Sequence, residues 1–368
     1  MTYIMNQENN KKKTGRLDNL DALKAISITL VVFCHYVLLS KESIAGNAVM
    51  SAAWGAVPCF MMVSGALLHS KKDFSWSYYF NKLAKIIIPF IVWRLIYLLI
   101  TAMVSTVESS FSQVIQYLFF FKDIDSVSTG GMWYIIAYIV VLLIYPVTYH
   151  LFQDKNGRKV LLFMCILACL SGILIPSVNW GANKISAAMG RGEISIITLN
   201  MLMPFNNYAN MLFYFIIGAF IFDSRDSIKE FFNERRYITI ATVVAGVAGL
   251  MAVKYLDNGT WRWENIYILD GYTRFSTLIL SIGLFLFFLV YDFNKIYHML
   301  AVSVGRYTMG IYYIHPIALF VCYVTIYPYL TDYSSFSLNC VKTIVMLIFS
   351  AVVTILIRAV PGLRRLVM

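Results

Sequence analysis

The sequence predicts an all-α integral membrane protein, a bundle of about ten transmembrane helices with the N and C termini in the cytoplasm. Three observations lead to this fold class. Apolar residues make up 60% of the 368 residues, only 13% are charged, and the mean hydropathy is +0.70, a composition that does not suit a soluble globular protein. Apolar runs long enough to cross a bilayer recur along the chain, and Lys and Arg concentrate in alternate loops between them.

The predicted spans are runs of about 17 to 24 mostly apolar residues, each able to cross roughly 30 Å of hydrocarbon as a helix. They lie at residues 22–40, 47–68, 83–105, 131–152, 159–176, 207–223, 237–256, 272–291, 303–330 and 339–361. Residues 1–16 are predicted to be a disordered cytoplasmic tail, and residues 17–368 a single membrane domain. The longest connections, 106–130 and 177–206, are predicted to lie outside the cell. The first apolar run lacks a small-residue cleavage pattern, so we expect it to remain as a helix.

The orientation follows from the basic residues, because short loops rich in Lys and Arg remain in the cytoplasm. Most of the 30 Lys and Arg residues fall in the N-terminal tail, in the loops after even-numbered spans, or after the last span. Both termini are therefore predicted to be cytoplasmic, which agrees with an even number of spans. The same loops account for the net charge of +11, so anionic lipid headgroups rather than nucleic acid are the expected electrostatic partner.

Several Cys residues fall within predicted spans, where we expect them to pack as small apolar side chains: Cys34, Cys59, Cys165, Cys169 and Cys322. Cys165 and Cys169 would share one helix face, but no His or carboxylate accompanies them. Neither a metal site nor a disulfide framework is predicted.

The ionisable residues Lys24, His35, Arg94 and His315 occupy predicted spans. Such groups are costly at bilayer depth and are usually functional. All 19 Asp and Glu residues fall in loops, tails or span ends, whereas a cation-coupled transporter commonly keeps a carboxylate at membrane depth. The pattern favours a site for an anion beside a histidine.

The cations of this predicted site come from the first and third spans. Lys24 and His35 share one helix, and their Cα atoms are about 16 Å apart along it. Lys82, Lys85 and Arg94 add cations on the cytoplasmic half, where the phosphates of a soluble cofactor can dock. The structural alternatives are that Lys24 extends to the lipid headgroups and that Lys82 and Lys85 are ordinary positive-inside residues.

Two histidines lie at a similar depth. Counted from the cytoplasmic ends of their spans, His35 and His315 both lie roughly 18 to 20 Å into the membrane. We expect them to share one cavity, and the structural alternative is that each is a hydrogen-bonded core histidine. Three further histidines are expected to be solvated residues at the cytoplasmic ends of spans: His69, His150 and His298.

Several short motifs follow one another between Leu17 and Pro316. They are Leu17-Asp18, Leu20-Asp21 and Leu23-Lys24 with His35; Val57-Pro58-Cys59-Phe60 leading to Val63-Ser64-Gly65-Ala66-Leu67-Leu68; Lys82, Lys85, Pro89 and Phe90; Met132-Trp133-Tyr134 ending at Tyr145-Pro146; and Val304-Gly305, Thr308, Tyr312, His315 and Pro316. In this order they resemble the acyltransferase 3 family of bacterial membrane proteins, whose signature includes a basic residue and a histidine separated by ten residues.

The resemblance implies a multi-pass protein of the bacterial cell (inner) membrane that attaches acyl groups, with acetyl expected, to a cell-envelope glycan or lipid-linked saccharide. It implies acyl-CoA (acetyl-CoA) as a cytoplasmic co-substrate, with no bound cofactor. The expected partners are membrane lipid, acyl-CoA and the saccharide acceptor, and no oligomeric state is predicted. The expected donor-binding residues are Lys24, Lys82, Lys85 and Arg94.

The expected chemistry uses the histidines. A sugar hydroxyl is a weak nucleophile near neutral pH, so a neutral imidazole within hydrogen-bond reach must take its proton. His35 is the predicted general base, and His315 is the second predicted catalytic residue.

Aromatic residues near the predicted outer interface are candidates for stacking on sugar rings, although Trp and Tyr also collect at membrane interfaces for other reasons. These acceptor-binding candidates are Trp133, Tyr134, Trp261 and Trp263. The alternative function is a transporter or flippase of a surface saccharide precursor, with the histidines lining its path. A membrane anchor without catalysis is a third hypothesis.

Overall fold

Helices follow one another through nearly all of the chain that the computed structural model describes, which is residues 17–36, 43–104, 110–119, 124, 132–192, 194, 209–259, 271–325 and 335–367. Every regular element in these ranges is a helix. The predicted tail at 1–16 lies outside the described residues.

The described residues of the first half of the chain form eight helices. They are α1 (Asp18–Tyr36), α2 (Ile44–Ala53), α3 (Ala56–His69), α4 (Trp76–Val104), α5 (Phe111–Phe119), α6 (Trp133–Gln153), α7 (Lys155–Cys169) and α8 (Ile175–Ala188). A π-helical turn, Leu170–Leu174, joins α7 to α8 without a break. This turn directly precedes Pro176, which has no backbone N–H, so the shifted hydrogen-bond pattern allows the helix to continue past the proline.

Seven more helices lie in the described residues of the second half. They are α9 (Ala209–Asp223), α10 (Arg225–Phe232), α11 (Tyr237–Asn258), α12 (Phe275–Val290), α13 (Asn294–Leu300), α14 (Thr308–Thr325) and α15 (Phe336–Ala359). A second π-helical turn, Ala301–Gly305, extends α13, and a 3-10 turn, Arg364–Val367, follows α15.

Six helical segments of the described chain are long and apolar enough to cross a membrane. They are Ile44–His69, Trp76–Met103, Trp133–Gln153, Lys155–Ala188, Tyr237–Asp257 and Phe336–Ala359. A seventh is possible if the pair Phe275–Val290 and Asn294–Gly305, bent by 118°, counts as one span. Each of the ten segments predicted from hydropathy overlaps a helix, whereas ten crossings and the cytoplasmic termini stay a prediction.

The connections differ from the predicted loops. Residues 177–188 are helical, because α7, the π turn and α8 form one segment of 34 residues, about 51 Å long at 1.5 Å per residue. The predicted loop 106–130 contains α5, a short helix with one apolar and one polar face. Both connections therefore contain helix in their described residues, and their predicted position outside the cell stays a prediction.

Two glycines allow α3 and α9 to cross at close range near the centre of the bundle. A Cβ atom on Gly65 would lie 1.7 Å from the carbonyl oxygen of Phe215, and one on Gly218 would lie 2.3 Å from that of Met62. No side chain fits at either position, so only glycine permits this backbone contact. The crossing fixes α3, which carries Ser64 on the face directed toward α1 and α14.

Helix α14 is fixed against α4. The ring of Trp93 stacks on that of Tyr313 with centroids 5.6 Å apart, and the Trp93 indole N–H donates to the Leu366 carbonyl oxygen at 2.9 Å. The Tyr97 hydroxyl donates to the Tyr313 carbonyl oxygen at 2.8 Å. These contacts hold the segment that leads into Pro316, where the helix lacks one backbone donor.

Candidate active site

A cavity of about 430 Å³ lies between α1, α3, α4, α6 and α14. Its polar lining consists of three lysines, four tyrosines and two aliphatic hydroxyls, namely Lys24, Lys71, Lys82, Tyr78, Tyr134, Tyr138, Tyr312, Ser64 and Thr308. No carboxylate lines it among the described residues. A cavity with three ammonium groups and several hydroxyl donors is suited to a ligand that carries several negative charges.

Lys24 enters this cavity from the first turns of α1. Its Nζ atom lies 2.5 Å from Oδ1 of Asp21, and the Asp21 side chain is only 7% exposed. Asp18 and Asp21 both lie in the first turn of α1, where carboxylates interact favourably with the positive end of the helix dipole. The Lys24 side chain, 22% exposed, therefore has a fixed position in the wall of the cavity.

The third predicted span does not present its cations as one wall. Lys82 lines the cavity, with Nζ 5.9 Å from the ring centroid of Tyr138. Lys85 is exposed and is absent from the lining. Three residues along a helix turn the side chain by about 60°, which directs Lys85 past the edge of the cavity.

Arg94 also lies away from the cavity. It is fully buried, and its guanidinium carbon lies 3.8 Å from the ring centroid of Tyr117 in α5. The Tyr117 hydroxyl donates to the Arg94 carbonyl oxygen at 3.2 Å. Twelve residues separate Arg94 from Lys82, which places the two about 120° apart around α4. The structure thus brings Lys24 and Lys82 together but places Arg94 in a packing contact with α5.

The two predicted catalytic histidines are neighbours. The ring centroids of His35 on α1 and His315 on α14 are 5.4 Å apart. His315 is fully buried, whereas His35 is exposed. Nδ1 of His315 lies 3.1 Å from the carbonyl oxygen of Ile311; a carbonyl oxygen only accepts, so Nδ1 carries the proton and Nε2 carries the lone pair of the neutral ring. Of the two rings, His35 is the one with exposed surface.

Two tyrosines connect the cavity to this histidine pair. The ring of Tyr312 lies 5.8 Å from that of His315 and 5.6 Å from that of Tyr134, and both tyrosines line the cavity. His315 therefore adjoins the cavity wall formed by α6 and α14, and His35 lies next to His315. Neither histidine is among the residues that line the cavity itself. The lysines and the imidazoles belong to one continuous region of the bundle.

The family model of the acyltransferase domain called acyltransferase 3 matches residues 17–359. The chain belongs to the acyltransferase 3 family. No curated protein and no solved structure matched it in two further comparisons. The membership supports a membrane acyltransferase in general, and the apolar helices agree with a multi-pass membrane protein.

In this acyltransferase 3 protein, the aromatic candidates for acceptor binding have different positions. Tyr134 lines the cavity, whereas the Trp133 ring lies 5.3 Å from that of Tyr272. Trp261 and Trp263 lie outside the described residues. Trp54, whose ring is 5.0 Å from that of Tyr272, joins this aromatic group and was not predicted.

His69 corrects one expectation. It is 3% exposed rather than solvated: its Nδ1–H donates to the Gly65 carbonyl oxygen at 3.0 Å, and its Nε2 lies 3.2 Å from the Thr148 hydroxyl. The ring joins the end of α3 to α6, which explains its burial. His150 is exposed, and so is the side chain of His298, with Nδ1 3.0 Å from Asp18.

Sequence reasoning also missed Lys71, Tyr78 and Tyr138 as parts of the site. Lys71 has the signature of an ordinary positive-inside residue, and tyrosines are common in membrane helices. Their positions depend on which way each helix faces its neighbours. Within the described residues, no three His, Cys, Asp or Glu side chains gather in a metal-binding arrangement.

Proposed function

We propose that this protein is a membrane O-acyltransferase that moves an acyl group, with acetyl expected, from cytoplasmic acyl-CoA to a hydroxyl of a cell-envelope glycan or lipid-linked saccharide. In this proposal ten helices cross the bacterial cell membrane and both termini are cytoplasmic. The observation that supports it best is the position of an accessible His35 and a buried His315 beside a cavity that carries three lysines.

The charge of the cavity matches the proposed donor. Coenzyme A carries a diphosphate and a 3′-phosphate, all anionic at neutral pH, and ammonium groups bind phosphates without strict geometric demands. Lys24 and Lys82 are the proposed diphosphate-binding residues, since both line the cavity and Lys24 is held by Asp21. The thioester end of the donor would then extend along Tyr134 and Tyr312 toward the histidines.

The proposed reaction is a proton-coupled displacement at the thioester. As the acceptor hydroxyl oxygen forms a bond to the carbonyl carbon, neutral His35 takes the hydroxyl proton. The tetrahedral intermediate collapses with cleavage of the C–S bond, and the proton passes from the imidazolium to the departing thiolate, which yields the ester and free coenzyme A. His315, 5.4 Å from His35 between ring centroids, is the proposed positioning partner.

The test uses sealed proteoliposomes that enclose radiolabelled acetyl-CoA, with a saccharide acceptor outside. We expect the wild-type protein to transfer label and His35→Ala to lower the rate by about a hundredfold to ten-thousandfold, the range for loss of a general base. His298→Ala is the matched control, because that side chain is exposed and is absent from the cavity lining. A normal rate for His35→Ala would contradict the proposed base and favour the transporter alternative.

The same vesicles test the orientation. Asn233→Cys lies in a predicted inner loop and Ala188→Cys at the predicted outer end of α8, and both positions are exposed. In right-side-out vesicles, an impermeant thiol reagent should label Ala188→Cys and leave Asn233→Cys unlabelled until the membrane is opened. Equal labelling of Asn233→Cys before opening would contradict the predicted topology.

A further inference from the structure

The connection between α3 and α4 brings a third lysine and an exposed aromatic ring to the cavity. Nζ of Lys71 lies 3.4 Å from the ring centroid of Tyr78, and both residues line the cavity. Tyr78 is 39% exposed, whereas the other lining tyrosines are less exposed. The pair therefore marks the open mouth of the cavity, away from the Tyr312 wall that adjoins His315.

The backbone that carries Lys71 is held in place by α6. The Tyr149 hydroxyl donates to the carbonyl oxygens of Lys71 and Lys72 at 3.1 and 3.0 Å, and the Tyr145 hydroxyl donates to that of Leu68 at 3.0 Å. A lysine that serves only the positive-inside rule requires no such support. Lys72 shares the Tyr149 contact but is exposed and absent from the lining, so it is a natural comparison for Lys71.

The two ends of the cavity suit the two ends of a coenzyme A thioester. The acyl end must reach the histidines, which adjoin the Tyr134 and Tyr312 wall. The nucleotide end then remains at the mouth. There the face of the Tyr78 ring that Lys71 does not cover offers a stacking surface for a purine, since every base has a π face, and the ammonium group over the other face can bind a phosphate.

We propose that Lys71 and Tyr78 form the subsite for the 3′-phosphorylated adenosine of the donor, Lys71 for the phosphate and Tyr78 for the base. The protein then selects free acyl-CoA over an acyl group attached to a carrier protein, whose phosphopantetheine arm has neither the 3′-phosphate nor the adenine. This inference rests on the proposed donor cavity, and it explains how that cavity would select one kind of acyl donor over another.

The test measures binding of coenzyme A, dephospho-coenzyme A and 4′-phosphopantetheine to the purified full chain. Wild type should bind coenzyme A about tenfold more tightly than dephospho-coenzyme A, the size of a charged hydrogen bond. Lys71→Gln should remove this preference and leave dephospho-coenzyme A and phosphopantetheine affinities unchanged, while Lys72→Gln keeps the preference. Tyr78→Leu should weaken both nucleotides by about tenfold and spare phosphopantetheine, and Tyr78→Phe should retain wild-type binding.

The outcomes separate this inference from the proposed function. If Lys71→Gln keeps the wild-type preference for coenzyme A, or Tyr78→Leu binds both nucleotides normally, the subsite is wrong although the donor cavity stands. If wild type binds none of the three ligands, the donor cavity and the proposed function fail together. Because Tyr78 is exposed, its variants provide a result even if Lys71→Gln does not fold.

Discussion

Within the described residues, basic side chains gather both in the cavity around Lys24 and in a cluster around Asp257, but their charges are balanced differently in the two regions. In the cluster, Asp257 accepts from the Trp180 indole N–H at 2.8 Å, and its oxygens lie 2.8 Å from Nζ of Lys184 and 4.0 Å from Arg274. The guanidinium of Arg274 lies 5.5 Å from the Trp180 ring. Three lysines line the cavity, and among the described residues one carboxylate outside the lining, Asp21, contacts one of them, Lys24.

The difference distinguishes a structural site from a ligand site. A carboxylate that contacts two cations and an indole N–H joins α8, α11 and α12. It also neutralises most of the positive potential that would attract an anionic ligand. Three ammonium groups around one space repel each other, which costs free energy unless an anion enters. The cavity is therefore the region where a charged substrate lowers the free energy most, and the cluster is the region where charge contributes to packing.

The largest effect is expected from removing the cavity charge. Lys24→Gln combined with Lys82→Gln should lower coenzyme A affinity about a hundredfold, since each charged contact contributes about tenfold, and should flatten the decrease of binding with salt. Isothermal titration at two salt concentrations measures both quantities. Lys155→Gln combined with Lys159→Gln removes the same charge from exposed positions and should change affinity little. An equal loss in both doubles would show that net charge, rather than the cavity, determines binding.

Arg94 is a third kind of cation, buried and covered by an aromatic ring. Arg94→Leu should lower the free energy of unfolding by about 2 kcal/mol through the loss of a desolvated cation–π contact, while coenzyme A affinity remains normal because Arg94 is absent from the cavity lining. Thermal unfolding in detergent and titration measure the two properties. A large loss of coenzyme A affinity in a variant of normal thermal stability would show that Arg94 binds the donor, as the sequence predicted.

Much of the fold follows from the sequence because hydropathy is a local property. All ten apolar runs overlap helices, and the family assignment that the motifs suggested is confirmed. Helix ends are less predictable, as α8 illustrates. Its polar residues are typical of a loop, but they are helical because the π turn before Pro176 allows the helix to continue. The fold was therefore predictable at the level of segments and not of their limits.

The site was predictable where one helix determines it. The relative position of Lys24 and His35 could be predicted because both lie on one helix. The proximity of His315 to His35 could be predicted from their similar depth in the membrane. The surroundings of Lys71 and Arg94 could not be predicted, because they depend on neighbouring helices: Tyr149 of α6 holds the Lys71 backbone, and Tyr117 of α5 covers Arg94. Charge and depth alone do not tell which way a side chain points.

The smallest effect is expected at the Asp257 cluster. Asp257→Asn keeps an acceptor for the Trp180 indole N–H but removes the charge opposite Lys184 and Arg274. The Lys184 and Asp257 side chains are 35% and 24% exposed, so solvent screens the pair and the expected loss of unfolding free energy is about 1 kcal/mol. Coenzyme A affinity and its salt dependence should match wild type, because the cluster shares no residue with the cavity lining. Thermal unfolding at low and high salt measures the first effect, which should shrink as salt rises. If Asp257→Asn changes donor binding as strongly as the Lys24 and Lys82 double variant, the comparison fails: the Asp257 cluster then contributes to donor binding and not only to packing.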